Sequence, residues 1–253
     1  MNFLDIPTVN TPNSIETVSG LYVDVANPDP KTILINDVAW ATSRLARFAG
    51  HTLSEEIWSI AQHAMFVEYL VDLVMSEDGV QLHWSLTEWL MSKGLVGEYR
   101  DGKFSKQLTR MHALIHDAPE AYLVDMPTPV KRHPLIQAPY KELEGKMEQA
   151  ILIAFNLPAA SKLEHEIVKW ADMLALRIET ACLIPSRGRG WGIVMPRMNH
   201  VDMYLMPKVK HWKLVCHEFL ERYEQLHLEL NPHMGAGLDT ASLMARAERV
   251  SRH

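Results

Sequence analysis

Three stretches of this chain are apolar at helical spacing and yet carry a histidine or an aspartate in mid-pattern. His63 sits in SIAQHAMFV, His116 and Asp117 in HALIHDAPEAY, and Asp172 in IVKWADMLAL. A helix face that packs into a core buries whatever it carries, and an imidazole or carboxylate is costly to bury without a partner. The three segments must therefore deliver these groups either to separate hydrogen-bond partners or to one another. Taken singly, the plain readings are strong. His63 alone is the mark of a satisfied core histidine, Asp172 alone of a salt-bridge partner on a helix face, and the His-Asp dipeptide occurs in many chains by chance. Their order raises the second reading: His, then His-Asp, then Asp, each on its own helix. Two imidazoles and two carboxylates suit a divalent cation and would leave coordination positions open.

The rest of the pattern is also helical. Residues 36–47 carry Val38 and Leu45 on apolar faces, with Asn36 or Asp37 as cap. Residues 55–75 repeat apolar positions at three- and four-residue steps, from Ile57 through Ile60, Ala61, Ala64, Val67, Leu70 and Val71 to Val74, with Ser54, Glu55 and Glu56 at the start. Further helices are expected over 81–96, 105–122, 139–155, 161–184 and 207–229. Pro119 marks a kink or terminus, and residues 125–131 cannot continue a helix, given Pro127 and Pro129. Residues 97–104 read as a polar turn and residues 185–192 (PSRGRGWG) as a flexible loop. Before the first helix, residues 19–25 and 32–35 are β-branched and separated by NPDP, which predicts a β-hairpin. The expected fold is mostly α, one domain over 1–253: a β element in 1–35, a helical core in 36–184, and a loop, last helix and frayed tail (from Asn231) in 185–253.

Composition excludes other classes. The 253 residues are 47% hydrophobic and 22% charged, which is globular. A net charge of -6 argues against a nucleic-acid polymer as partner. Cys182 and Cys216 form neither a disulfide framework nor a CxxC site and read as buried thiols. The first ten residues do not resemble a signal peptide, and no apolar run reaches the roughly 18 residues of a membrane span. A soluble, cytoplasmic protein without a membrane partner is expected.

The ordered residues His63, His116-Asp117 and Asp172 resemble the HD-domain metal-dependent phosphohydrolases. HDAPEAYLVDMPTPVK (116–131), VKWAD (168–172) and Arg47-Phe48 are similar to the corresponding segments of bacterial and phage 5′-deoxynucleotidases. RFAGHT (47–52) with WSIAQH (58–63) looks like phage relatives. The resemblance spans roughly residues 36–184 and implies an HD-type helical bundle and a homodimer. It implies one divalent ion (Co, Mn, Zn, Fe, Ni or Mg) on His63, His116, Asp117 and Asp172. It implies a nucleotide substrate, and Glu120 and Asp117 as catalytic residues. Glu120 would handle a proton; on a continuous helix it would share a face with His116 and Asp117. Arg47 and Lys131 would bind phosphate, and Phe48 and Asp125 the sugar. Apart from the resemblance, Arg47 and Lys131 read as surface cations, Phe48 as packing and Asp125 as a turn carboxylate. The bacterial enzymes have Trp where this chain has Phe48, a departure that bears on 2′-deoxy preference.

The implied reaction is hydrolysis of a deoxynucleoside 5′-monophosphate. The rivals are a dNTP (dATP-type) triphosphohydrolase, with Lys131 and the 187–190 loop on the extra phosphates, and a non-catalytic nucleotide-sensing module. A di-iron HD oxygenase would need further histidines. His133 and His165 are the only candidates and are assigned to the surface. His51, Trp58 and Gln62 flank the expected site; His51 reads as an exposed loop residue with phosphate contact as the alternative, and Trp58, Trp84 and Trp89 read as core.

Overall fold

The computed structural model describes residues 12–232. The chain opens with strands β1 (Ser14–Glu16) and β2 (Tyr22–Asp24), antiparallel with Ile15 opposite Val23. The helices are α1 (Ile35–Thr42), α2 (Ile60–Val74), α3 (Val80–Ser92), α4 (Val96–Arg100), α5 (Lys106–Ile115), α6 (Glu120–Leu123), α7 (Thr128–Lys131), α8 (Gln137–Ala154), α9 (Lys162–Leu183) and α10 (Trp212–Leu230). The mostly α architecture with a small N-terminal hairpin is as the sequence predicts. No helix of the described residues is long and apolar enough to cross a membrane.

The hairpin uses different strands from those expected. Gly20, at φ +81°, supplies the left-handed residue of a turn between residues 17 and 21, so β2 pairs backwards with β1. The NPDP segment instead starts a helical turn. Asp29 caps it by accepting from the Lys31 amide at 3.0 Å, and Pro30 fits its first position. Ile33 and Ile35 then enter the core at the head of α1 rather than forming a strand. Asp37 is not the cap of α1. It is buried and accepts from the Ser19 amide (3.1 Å) and hydroxyl (2.7 Å), tying α1 to the hairpin turn.

α2 starts five residues later than its apolar pattern suggests. Residues 58–60 pair with 45–47 instead: the Arg47 amide donates to the Trp58 carbonyl (2.9 Å) and the Ile60 amide to the Leu45 carbonyl (3.1 Å). Ser59 then caps α2, accepting from the Gln62 amide. Ile57, counted on the apolar stripe, is consequently exposed. This pairing lays Arg47 beside the first turns of α2. The helix expected over 105–122 is broken: α5 ends at Ile115, and Pro119 precedes the separate turn of α6. The 81–96 helix stops at Ser92, before Gly94 at φ +71°. The last helix begins at Trp212, capped by His211, not at Pro207. The frayed tail expected from Asn231 lies, past Pro232, outside the described residues.

α2 is the central element. Ala61 and Ala64 belong to a core shared with α1, α5, α8 and α10, while Phe66, Val67, Leu70, Val71 and Val74 belong to a second core with α3 and α9. Trp170 fixes α9 in the second core by donating from Nε1 to the Ser85 hydroxyl at 3.2 Å. Trp58 is buried as expected, but Trp84 is 57% exposed, under the guanidinium of Arg197.

One buried charge network locks α2, α5 and α10. Glu68, 1% exposed, accepts from Arg110 Nε (2.7 Å) and lies 3.2 Å from Arg222 Nε. Removing Glu68 takes from buried Arg110 its shortest carboxylate contact and leaves it the longer ones to Asp72 (3.5 Å) and Glu229 (3.4 Å), so the loss falls below the ~3–5 kcal/mol of a fully broken buried pair. Glu68→Ala is therefore expected to lower the unfolding free energy by about 2–3 kcal/mol in urea titration. An unchanged midpoint would assign the locking of these helices to apolar packing alone.

Candidate metal centre

The end of α5, the face of α2 and the middle of α9 converge. His63 Nε2 lies 3.5 Å from Asp117 Oδ2 and 3.2 Å from Asp172 Oδ1, and His116 Nε2 lies 3.2 Å from Asp117 Oδ2. Donor atoms of His63, His116 and Asp117 all fall within 4.8 Å of one another. Asp172 lies outside that set of three and meets it at His63 alone, through the 3.2 Å contact. These are separations that one ion with bonds of about 2.0–2.2 Å can bridge.

Both imidazoles are set for that use. The Ala113 carbonyl can only accept, so His116 must donate to it from Nδ1, at 2.7 Å. His63 donates from Nδ1 to Glu179 Oε1 at 2.6 Å. Each ring then turns its Nε2 lone pair inward, and both Nε2 atoms are buried without a hydrogen-bond partner. Two orphaned imidazole nitrogens aimed at carboxylate oxygens fit a divalent cation with N/O ligands. Around them, burial opposes charge on His116, but Asp117 outweighs it and pushes the ring up to about 9. Burial likewise opposes ionisation of Asp117, and the two imidazoles with Arg47 hold it far below the usual carboxylate range.

Arg47 stands over the same cluster. Its Nε donates to Glu179 Oε2 at 2.9 Å, and its two terminal nitrogens lie 3.7 Å from Asp117 Oδ2 and Asp172 Oδ1. The backbone that presents it is strained: Phe48 (φ 58°) and Ala49 (φ 52°) are left-handed, a conformation costing about 1–3 kcal/mol per residue. Phe48 packs its ring against the Arg47 guanidinium (5.4 Å) and edge-on to Trp191 (6.1 Å), so the 185–192 loop reaches the site margin. Arg187 and Arg189 of that loop are exposed.

Glu120 is brought in without the continuous helix. Past Ile115 a run of tight turns (Ala118 amide to Ile115 carbonyl, Glu120 amide to Asp117 carbonyl) carries the chain into α6, and Glu120 is 6% exposed. Lys131 Nζ reaches its Oε1 at 3.4 Å and Glu144 Oε1 at 3.1 Å. Glu120 Oε2 is buried and unpartnered. Burial, then the charges of Asp117 and Asp125, push the Glu120 carboxyl up to about 9. Asp125 is half-buried and follows Val124, itself left-handed at φ 58°. Lys131 is thus engaged with carboxylates rather than free. His51, His133 and His165 are exposed, in line with the sequence reading. Gln62 is taken up by the 208–210 segment, donating to the Lys208 carbonyl and accepting from the Lys210 amide.

Beside His116 and Asp172 opens a cavity of about 470 Å³. Ile115, Ile151, Leu152 and Val168 form its apolar wall, and Lys162, Lys169 and Glu148 are its charged lining. None of Arg47, Phe48, Asp125 and Lys131 lines it.

Glu179 is a site residue that the sequence pattern does not single out. The available signal is its spacing: it follows Asp172 by seven residues, two helical turns, on the same face of α9. It is also the one carboxylate in the run ALRIETACL.

A family model described as 5′-deoxynucleotidase YfbR-like matches residues 90–182. An uncharacterized protein of Rhodobacter capsulatus is 31% identical over 163 residues, 64% of this chain and 68% of that protein. Uncharacterized protein YfdR of Escherichia coli is 31% identical over 182 residues, 71% of this chain and 78% of YfdR. The chain belongs to the YfbR-like 5′-deoxynucleotidase family. The matched segment carries His116, Asp117, Glu120, Asp125, Lys131, Asp172 and Glu179. Arg47, Phe48 and His63 precede it and join the YfbR-like segment through the folding of α2 and the strained turn.

The imidazole shifts give a signed prediction. A group whose folded-state pKa is raised stabilises the fold fully below its unfolded value, near 6.5 for His, and loses that contribution as pH rises through the folded value. For His116 the window is about 6.5 to 9. Chelator-treated protein is therefore expected to lose Tm across that window. Added divalent metal, which needs the neutral ring, is expected to restore more Tm as pH rises. A metal-induced gain in Tm that stays constant across the same window would contradict the assignment of His116 as a ligand.

Proposed function

We propose that this protein is a divalent-metal-dependent phosphohydrolase that converts a deoxynucleoside 5′-monophosphate to deoxynucleoside and phosphate. The observation that carries the reading is the pair of buried, unpartnered Nε2 atoms of His63 and His116 facing Asp117 and Asp172, with the Arg47 guanidinium alongside. Membership of the YfbR-like family supplies the reaction class.

His63, His116, Asp117 and Asp172 would hold the ion, and their nitrogen and oxygen donors suit Co, Mn, Zn, Fe or Ni better than Mg. Such an ion supplies Lewis-acid polarisation of a phosphoryl oxygen and makes water more acidic. Arg47 binds the phosphate. Its terminal nitrogens, held by the Nε contact to Glu179, offer two parallel donors to phosphate oxygens and oppose the charge that grows on them. Glu120 moves the proton. With Oε1 held by Lys131 and Oε2 free, it can protonate the departing 5′ oxygen as a water oxygen bonds to phosphorus and the P–O5′ bond breaks; the water keeps one proton on the released phosphate and its other proton restores the Glu120 carboxyl, leaving a neutral nucleoside hydroxyl. Phe48 and Asp125 would contact the sugar, and the strained turns at Phe48–Ala49 and Val124 are where such contacts are commonly built.

One phosphate is favoured over three because Lys131 is committed to Glu120 and Glu144 and the arginines of the 185–192 loop are exposed. Lys162 and Lys169, at the cavity, are the cations that a longer phosphate chain would use.

A panel of ribo- and deoxynucleoside mono- and triphosphates, assayed with and without chelator and resolved by chromatography, tests the reading. Orthophosphate and deoxynucleoside from monophosphates, lost with chelator, are expected. Tripolyphosphate release from triphosphates would replace the substrate class, and tight nucleotide binding without any product would replace the enzyme with a sensor. Glu120→Gln is expected to lower kcat by about 10²-fold or more with metal content unchanged; near-normal turnover would remove it from the proton path. His116→Ala or Asp117→Ala is expected to lose the metal, and undiminished metal content in either variant would overturn the ligand set.

A further inference from the structure

Glu179 has no exposed surface, and each of its carboxylate oxygens receives one hydrogen bond from a residue far away in sequence. Oε1 takes the Nδ1 proton of His63 at 2.6 Å, and Oε2 takes the Nε proton of Arg47 at 2.9 Å. Burial opposes its ionisation, and the neighbouring His63 and Arg47 outweigh burial and keep it charged. We infer that Glu179 is a positioning residue that fixes His63 in the tautomer able to ligate a metal and, through the same carboxylate, aims Arg47 into the site. The inference rests on the metal-site part of the proposed function, not on the identity of the substrate.

The chemistry follows from the donor inventory. A neutral imidazole carries one ring proton. While that proton is committed to Glu179 on Nδ1, the Nε2 lone pair faces Asp117 and Asp172 and is free for a cation. The carboxylate is suited to this double task because it accepts at both ends. An amide of the same shape accepts at one end and donates at the other. In Glu179→Gln, the Arg47 guanidinium cannot give up its Nε proton, whereas the His63 ring can exchange tautomers. The amide oxygen therefore turns to Arg47 and the amide nitrogen to His63 Nδ1. The His63 proton moves to Nε2, where it points into the metal cage and blocks it.

This yields an asymmetric expectation. Glu179→Gln is expected to bind Co²⁺ or Zn²⁺ about 10–100-fold more weakly in calorimetric titration of the metal-free protein. Its affinity for inorganic phosphate in the absence of metal is expected to change less than threefold, because Arg47 keeps its acceptor. Glu179→Ala removes both acceptors and is expected to lose both affinities. Nitrogen-15 NMR of the histidine rings adds a readout that a purely structural role would not move. With the ring titrated to neutrality, metal-free wild type is expected to carry the His63 proton on Nδ1 and Glu179→Gln to carry it on Nε2. Wild-type metal affinity in a folded Glu179→Gln, or a neutral wild-type His63 with its proton on Nε2, would overturn the inference. Because the second of these is measured on the wild-type protein, it decides the matter even if the variants do not fold. None of these readouts uses turnover, so a failure of the nucleotidase reading is seen separately in the nucleotide panel.

Discussion

Buried negative charge is the constraint around which this protein is built. Asp117, Asp172 and Glu179 crowd against one another where α5 ends beside α2 and α9, and Glu120 closes in from α6. One guanidinium and two imidazoles stand against them, and Lys131 steadies Glu120 from outside. A pocket so composed is stable only with more positive charge than the side chains supply, either from protons on the rings or from a cation. A dication would relieve the same imbalance that burdens folding. With the carboxylates so offset, an anion entering the site would meet Arg47 rather than a field of like charge.

The scaffold around the pocket answers that strain by tying helices together with ions as well as apolar contact. Glu68 sits on the same helix as His63, a little more than one turn further along, and joins α5 and α10 through Arg110 and Arg222. The helix that bears one cage nitrogen is thereby clamped to the helix that ends at the other. At the opposite margin, the left-handed residues Phe48 and Ala49 give Arg47 its approach. Such backbone persists only when its surroundings over-determine it, as the pairing of residues 45–47 with 58–60 does here.

Much of this is legible in the sequence, and the parts that are not have physical causes. Polar ligand-type residues inside apolar helical stretches announce His63, His116, Asp117 and Asp172, since burial without a partner is unfavourable. The class of fold follows from three- and four-residue periodicity. Periodicity misplaces the start of α2 because Ile57 continues the stripe although its backbone neighbours are occupied in pairing with the segment before Arg47. The sequence pattern places the hairpin one strand too late because NPDP reads equally as a reverse turn and as a capped helical start. A shared helical face points to Glu120, yet the residue reaches the neighbourhood of Asp117 past the end of that helix rather than along it. Glu179 escapes because its importance lies in two hydrogen bonds that span more than a hundred residues, which no local pattern encodes.

The wall that α8 lends to the cavity has a separate consequence. Glu148, Ile151 and Leu152 border the space next to His116 and Asp172, but no cage atom comes from that helix. Shape and chemistry are thus written on different pieces of chain. Substitutions along α8 can reshape the space beside His116 and Asp172 while the cluster of His63, His116 and Asp117 stays intact.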